Sequence, residues 1–151
     1  MAAIKGRIRA ISVSEQKGMQ KVNVPNAKLR AGFGIVGDAH AGNWDRQISL
    51  LEIESIDIMT AKGAKVSPGD FAENITTEEI DLSKLKIGEK LKLGTEAEII
   101  ITKFGKQCHG RCIIYEQIGD CIMPRKGVFA KVSRGGSIKI GDSIEVTTDG
   151  D

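Results

Sequence analysis

The sequence predicts a mainly β fold, its strands closed or partly closed into an antiparallel barrel, with a few short helices. Short runs rich in β-branched residues recur along the chain, punctuated by glycine pairs and proline. Two segments, KIGEKLKL (86–93) and KIGDSIEV (139–146), share an aliphatic–Gly–acid corner followed by alternating aliphatic residues. Barrel-like β domains reuse such corners. Only one stretch carries a strong helix signal.

Taken in order, Ile4 to Val13 and Lys21 to Val24 read as strands, with Pro25 ending the second. Ser49-Leu50-Leu51-Glu52 has capping-box spacing. Ile53, Ile56 and Met59 follow at three-residue steps, and Gly63 stands where a left-handed stop is wanted. Weaker helical signals lie at Asp81 to Leu85 and around Ile113 to Ile118. Leu91 and Leu93 alternate with lysines, Gly94-Thr95 turns the chain, and Glu98 to Thr102 resumes as a strand. Gly127 to Val132, Ser137 to Ile140 and Ser143 to Thr147 complete the set, separated by Gly135-Gly136 and Gly141-Asp142.

No linker or low-complexity segment divides the 151 residues, so 1–151 is read as a single domain, ample for a sizeable core. Charged residues are 28 % and apolar ones 40 %, an ordinary globular composition. No apolar run approaches bilayer length, and MAAIKGRIRAISV lacks the apolar stretch of a signal peptide, so a cytoplasmic protein is expected. Three cysteines argue against a disulfide framework and agree with a reducing compartment. A net charge of +2 predicts no strong attraction to nucleic acid or membrane. The charge is unevenly spread: Lys103 to Lys139 carries eight basic side chains against Glu116 and Asp120. That segment is either a solvated strand face or an anion site around the cysteines.

KQCHGRC (106–112) packs two of the three cysteines and one of the two histidines into seven residues. A haem tether is excluded, because the histidine does not follow the second cysteine. Cys108 and Cys112 have a spacing found in zinc sites, with His109, Cys121 or His40 to complete a tetrahedron. A structural zinc site, however, usually draws on two spaced ligand pairs, and this chain offers one. Cys112 and Cys121, beside aliphatic residues, read as small buried hydrophobes. Cys108 lies among Lys103, Lys106, His109 and Arg111, and cations favour its thiolate, the form that metal binding or sulfur transfer requires.

GIVGDAHAG (34–42) is glycine-dense, but it lacks the Gly-Lys-Ser/Thr ending of a phosphate loop and does not fit the dinucleotide fingerprint. Its glycines allow close approach to a ligand, with Asp38 and His40 as polar tips; an ordinary capped turn is the competing reading.

Several pieces, in order, resemble the MOSC domain family, named for the C-terminal domain of molybdenum cofactor sulfurases. They are GDAHAG (37–42), RQISLLEIE (46–54), SPGDFAENIT (67–76), LKIGEKLKLG (85–94), the cysteine segment and GVFAKVSRGGSIKIGDSIEV (127–146). CIMPRKGVFAKVSRGG is similar to the small stand-alone bacterial branch. The resemblance implies a β-barrel-like fold, binding of the molybdenum cofactor (molybdopterin), and a cysteine that serves as persulfide carrier or molybdenum ligand. That cysteine aligns with Cys108, and Cys112 is the alternative, since many relatives have proline where this chain has Gln107 and glycine where it has Ala72. Asp38, His40, Arg46, Asn74, Arg111, Arg125 and Arg134 are the candidate cofactor contacts. A basic pocket beside a soft thiolate suits a ligand carrying dithiolene, pterin and phosphate.

In the sulfurases, pyridoxal phosphate belongs to a separate N-terminal domain, so none is expected on this chain, and a cysteine desulfurase or a molybdoenzyme is the expected partner. Two alternatives stand beside the carrier: a molybdenum-dependent reductase of N-oxygenated compounds, and a zinc-stabilised β domain without catalysis. His40 is expected near the cysteine loop, because two polar loops in one small barrel readily share an end.

Cys108 is expected to be the thiol most readily alkylated in the native protein. Timed iodoacetamide labelling with peptide mapping checks it; faster reaction at Cys112 transfers the carrier role there.

Overall fold

A computed structural model of the protein describes residues 5–16, 21–71, 73–104 and 127–147. The strands are β1 (Lys5–Val13), β2 (Val22–Val24), β3 (Asn26–Arg30), β4 (Gly34–Ile35), β5 (Ile48–Glu52), β6 (Ile75–Glu78), β7 (Lys90–Leu93), β8 (Ala97–Phe104), β9 (Val128–Arg134), β10 (Gly136–Lys139) and β11 (Ser143–Val146). Helix α1 (Ile53–Ala61) follows β5, and a single 3₁₀ turn occupies Leu82–Lys84.

Alternation drives closure. In β7, and in β8 from Ala97 to Ile101, every second residue is aliphatic, and those side chains face one interior. The strands close in the order β1, β11, β7, β8, β9, β5, β6 and back to β1, a seven-stranded ring. Ile8, Ile11, Ile48, Leu50, Ile75, Leu91, Leu93, Ile99, Ile101, Ala130, Val132 and Ile144 fill it. A second sheet, β10-β3-β4, adds Leu29, Ile35 and Ile138 to the same core. The expected barrel therefore holds, with one departure: β5 and β6 run parallel, while every other seam of the ring is antiparallel. A parallel neighbour needs a crossover, and α1 with the loop after it supplies one.

The helix starts later than its capping box suggests. Ser49 belongs to β5, and Glu52 is the residue before the first helical turn, in extended conformation without a side-chain cap. The reason is burial on both faces. Ile48 and Leu50 point into the barrel, while Leu51 joins Ile56, Met59, Ala64, Phe71 and Phe129 in an outer core beneath α1. A strand covered on both sides loses its alternation and reads like a helix start. Gly63 does stop the helix, at φ +102°. The weak signal at Asp81 to Leu85 is the 3₁₀ turn, with Ser83 N–H donating to Asp81 Oδ1 at 3.0 Å. The signal at Ile113 to Ile118 lies outside the described residues.

The echoed corners are equivalent in space. Glu89 N–H donates to Lys86 O and Asp142 N–H to Lys139 O, both at 3.1 Å, with Gly88 at φ +94° and Gly141 at φ +95°. Each acid also accepts from the first lysine of its own turn: Lys86 N–H to Glu89 Oε1 at 2.7 Å, and Lys139 N–H to Asp142 Oδ2 at 3.0 Å. Gly88 bonds Ile101 O and Gly141 bonds Ile8 O, again at one distance, 2.8 Å. The strands that follow, β7 and β11, pair with each other antiparallel about Lys92 and Glu145. The short echo is thus a local two-fold relation within the barrel.

Both glycines have open space where a Cβ would sit, so substitution there meets only the backbone penalty. Gly88→Ala and Gly141→Ala should each cost about 1–2 kcal/mol, the price of left-handed backbone for an L-residue. Urea unfolding should give similar losses for the two, additive within about 0.5 kcal/mol in the double variant.

Candidate functional site

Past its pairing with β6, the end of β1 meets a buried polar cluster. Lys21 and Asp38 form an ion pair at 2.6 Å, and both side chains are 0 % exposed. Two ions out of water incur several kcal/mol each, so such a pair persists only with its other bonds satisfied. Here they are. Lys21 Nζ also donates to Ser14 Oγ at 3.2 Å and lies 2.9 Å from His40 Nδ1. Asp38 Oδ1 accepts from Ser14 N–H and Oδ2 from His40 N–H, both at 3.1 Å.

From His40 the loop runs toward β8 and β9. Trp44 Nε1–H donates to His40 O at 2.7 Å, and the two rings stack with centroids 6.4 Å apart and planes 8° apart. The half-buried Arg46 guanidinium lies 5.9 Å from the Trp44 ring and 5.5 Å from that of Phe129, a cation held against two aromatic groups. Among the described residues no carboxylate pairs with it. Asp45 O accepts a hydrogen bond from Thr102 Oγ1. In β8 and β9, Lys103 is opposite Phe129 and Phe104 opposite Val128. The loop bearing Asp38, His40 and Arg46 therefore ends at the base of the β8–β9 connection, which in sequence carries Cys108.

A second polar layer lies on the outer face of β1, β5 and β6. Asn74 Oδ1 accepts from Ser49 N–H at 3.0 Å, its Nδ2–H donates to Ser12 O at 3.1 Å, and Ser49 Oγ accepts from Asn74 N–H at 3.0 Å. Glu73, 0 % exposed, accepts from Gly69 N–H, Phe71 N–H and Thr76 Oγ1. Burial raises the Glu73 carboxyl above its ordinary value of 4.5, and the hydrogen bonds oppose that shift without cancelling it. Gly69 is at φ +97°, and a Cβ there would come within 2.9 Å of Lys21 O and Ser12 Oγ, so only glycine lets this loop close onto β1.

The sequence candidates fall into three groups. Asp38, His40 and Arg46 lie on one loop, with Asp38 and His40 in direct contact. Asn74 is 1 % exposed, and its amide ties β5 to β1. Arg134 is exposed, opposite Glu98 and at the far end of β9 from the cysteine connection. Cys108, Arg111, Cys112, Cys121 and Arg125 lie outside the described residues, and so does the expected proximity of His40 to the cysteine loop. Sequence reasoning missed Lys21, Ser14, Trp44 and Glu73. Lys21 was legible only as the polar start of a strand, since nothing local marks its partner seventeen residues on. Among the described residues no group of three His, Cys, Asp or Glu side chains could hold a metal ion, and no helix is long and apolar enough to cross a membrane.

Lys21→Met leaves Asp38 charged and buried without its counter-ion. The expected loss is about 3–5 kcal/mol, and Lys21→Met/Asp38→Asn, which removes both charges, should lose less. Thermal or urea unfolding of the two variants checks this. For Glu73 the sign runs the other way from an ordinary carboxylate. Because folding raises its proton affinity, its contribution is full below the unfolded value of 4.5 and is lost as pH rises through the folded one. In Glu73→Gln that part of the fall with rising pH should disappear, measured as urea stability across the acid-to-neutral range.

Comparison with known proteins places this geometry. The family model of the MOSC domain matches residues 37–145. The fold is similar to that of the YuaD protein from Bacillus subtilis, with a TM-score of 0.80 at 19 % identity over 96 % of this chain and 97 % of that one. It is also similar to YiiM from Geobacillus stearothermophilus, with a TM-score of 0.71 at 17 % identity over 95 % of this chain and 75 % of that one. YiiM from Escherichia coli gives 0.64 at 17 % identity, over 99 % and 71 %. No curated protein matches the sequence significantly. The family match spans most of the chain, including the loop of Asp38, His40 and Arg46 and the whole β8–β9 connection: this protein belongs to the MOSC domain family, a family associated with the molybdenum cofactor.

Proposed function

We propose that this protein binds the molybdenum cofactor and handles sulfur for it, with the Cys108 thiolate as the carrier. The observation that carries this reading is the contact of Asp45 and Arg46 with Thr102 and Phe129. It brings an arginine with no carboxylate partner among the described residues to the base of the connection that bears Cys108.

The described residues fit the group. A molybdopterin presents a phosphate and a polar pterin edge, and Arg46 offers planar, bidentate donors to a phosphate. His40 adds a polar ring, stacked on the Trp44 that Arg46 also meets. Asp38 and Asn74 serve the site indirectly, by holding the loop and the strands that carry it. When bound, the cofactor supplies a molybdenum held by a dithiolene, a centre with affinity for soft sulfur. Cys108 takes its sulfur from a persulfide on a cysteine desulfurase. The thiolate attacks the outer sulfur, a new S–S bond forms at Cys108, the donor's S–S bond breaks, and the donor leaves as thiolate. A molybdoenzyme is the acceptor partner. Such chemistry needs a reducing compartment, in keeping with a cytoplasmic protein. The reductase alternative uses the same residues, and turnover of an N-hydroxylated substrate with added reductase separates it.

Two variants should divide the functions. Cys108→Ser should retain cofactor binding and lose persulfide loading. Arg46→Ala should weaken molybdopterin binding by about 1.5–3 kcal/mol, the scale of a hydrogen bond to a charged group, and leave persulfide formation intact. Lys92→Ala, exposed on β7 opposite Glu98, is the control and should change neither. Molybdopterin titration alongside persulfide labelling reads both. If folded Cys108→Ser behaves as wild type in both assays, the carrier reading fails.

A further inference from the structure

Lys21 has a use beyond neutralising Asp38. An ammonium carries three N–H donors and no acceptor. In this protein it has three acceptors in reach: Asp38 Oδ1 at 2.6 Å, His40 Nδ1 at 2.9 Å and Ser14 Oγ at 3.2 Å. With its side chain 0 % exposed, no bulk water competes for those donors. The backbone fixes the other side of the arrangement. His40 N–H is held by Asp38 Oδ2, and the His40 carbonyl by Trp44 Nε1–H, so the backbone that carries the ring is fixed. Stacking against Trp44 fixes the plane of the imidazole.

We infer that Lys21 is a positioning residue that locks His40 as the neutral tautomer protonated at Nε2. The Nδ1 atom facing an ammonium donor must offer its lone pair, and in a neutral imidazole the proton then resides on Nε2. Protonating Nδ1 as well would set N–H against N–H and cation against cation. Two consequences follow. His40 has no basic nitrogen to offer, so it is neither a general base nor a metal ligand. A histidine that binds metal through Nε2 donates Nδ1–H to an acceptor, and Lys21 is the opposite of an acceptor. In this tautomer Nε2 is a donor, suited to an anionic or carbonyl oxygen of the chain or of a ligand.

The use of that donor toward a phosphate rests on the cofactor-binding reading above, but the tautomer does not, and the two are tested apart. Long-range ¹H–¹⁵N correlation on imidazole-labelled full-length protein reads the His40 tautomer directly, with no cofactor present. Assignment against His40→Gln separates it from His109. Wild type should show a single neutral form, protonated at Nε2, that persists as pH falls below the ordinary histidine value of about 6.5. In Lys21→Met, or in Lys21→Met/Asp38→Asn should the single variant fail to fold, the Nδ1 lone pair is released. His40 should then sample both tautomers and become cationic at a higher pH than in wild type. Added Zn²⁺ should leave the wild-type His40 signals unmoved. A wild-type His40 carrying its proton on Nδ1, a cationic His40 at pH 7, or Zn²⁺-dependent shifts of its ring nitrogens would overturn the inference. So would a variant whose His40 titrates as in wild type. Inorganic phosphate then tests the donor: a phosphate-dependent shift of the Nε2 proton supports the anion role, and its absence removes that role while leaving the tautomer result standing.

Discussion

The structure depends on β1 pairing along its length with three different strands. Lys5 to Arg7 pair with β11, Arg7 to Ile11 with β6, and Ile11 to Val13 with β2. Without the first pairing the sheet is an open ribbon with two bare edges; with it, the ring has none. A register slip between Ile8 and Ala10 helps one strand serve neighbours of different direction, since such irregularities add local twist. The same strand seats the site. Beyond the ring its backbone offers Ser12 O to Asn74, Ser14 N–H to Asp38 and Ser14 O to Ala39. Closure of the barrel and placement of the loop at Asp38 to Arg46 are therefore one event.

Beside the two apolar cores are buried polar groups that add little to stability by themselves. Lys21–Asp38 and Glu73 are buried charges or potential charges, and well-packed hydrophobic groups of the same volume would often do as well or better. Their value is in specificity. The loop from Ala64 to Asn74 contributes Ala64 and Phe71 to the outer core and packs Val66 against it, and hydrogen bonds to Glu73, Asn74 and Asp70 fix the rest. A loop held this way has one geometry in which its donors are satisfied, whereas apolar contacts alone tolerate sliding. A site that must present an arginine and a histidine in fixed relation gains from that choice.

What was legible in the sequence follows from which faces are covered. β1, β7, β8, β9 and β11 have apolar residues toward the interior and polar ones toward solvent along most of their length, and their alternation survives in the letters. β5 is hidden on both faces, so ISLLE looked like a helix cap. β6, ITTE, buries Thr76 against Glu73 and shows no apolar period at all. β3 and β4 are short and pair only in the small second sheet. The glycines at 63, 88 and 141 were readable because left-handed backbone is a local requirement. Asp38 and His40 were found from their glycine-dense setting as polar tips, and Asp38 is the buried anchor of that loop. The pairing with Lys21 is a tertiary fact, and no local pattern encodes it.

The β8–β9 ladder runs to Phe104 opposite Val128, a register that a turn of a few residues could close. The chain instead places residues 105–127 there, with all three cysteines and the basic residues Lys106, Arg111, Arg125 and Lys126. Lengthening a connection is thermodynamically mild, roughly 0.6 kcal/mol per doubling of its length. Its base, however, has to be held, and Thr102 with Asp45 and Phe129 with Arg46 hold it from the neighbouring loop. On the proposed reading this divides the chemistry by hardness. The barrel supplies hard donors, Arg46 and the tautomer-fixed His40, on a frame set by buried bonds. The inserted connection supplies the soft thiolate. A cofactor with a phosphate at one end and a dithiolene-bound metal at the other needs both kinds of group at a set separation. A sulfur carrier further needs its thiol to meet two partners in turn. Mounting the thiol on the connection and the anion donors on the barrel meets both requirements, because the groups that fix orientation are then not the groups that must exchange sulfur.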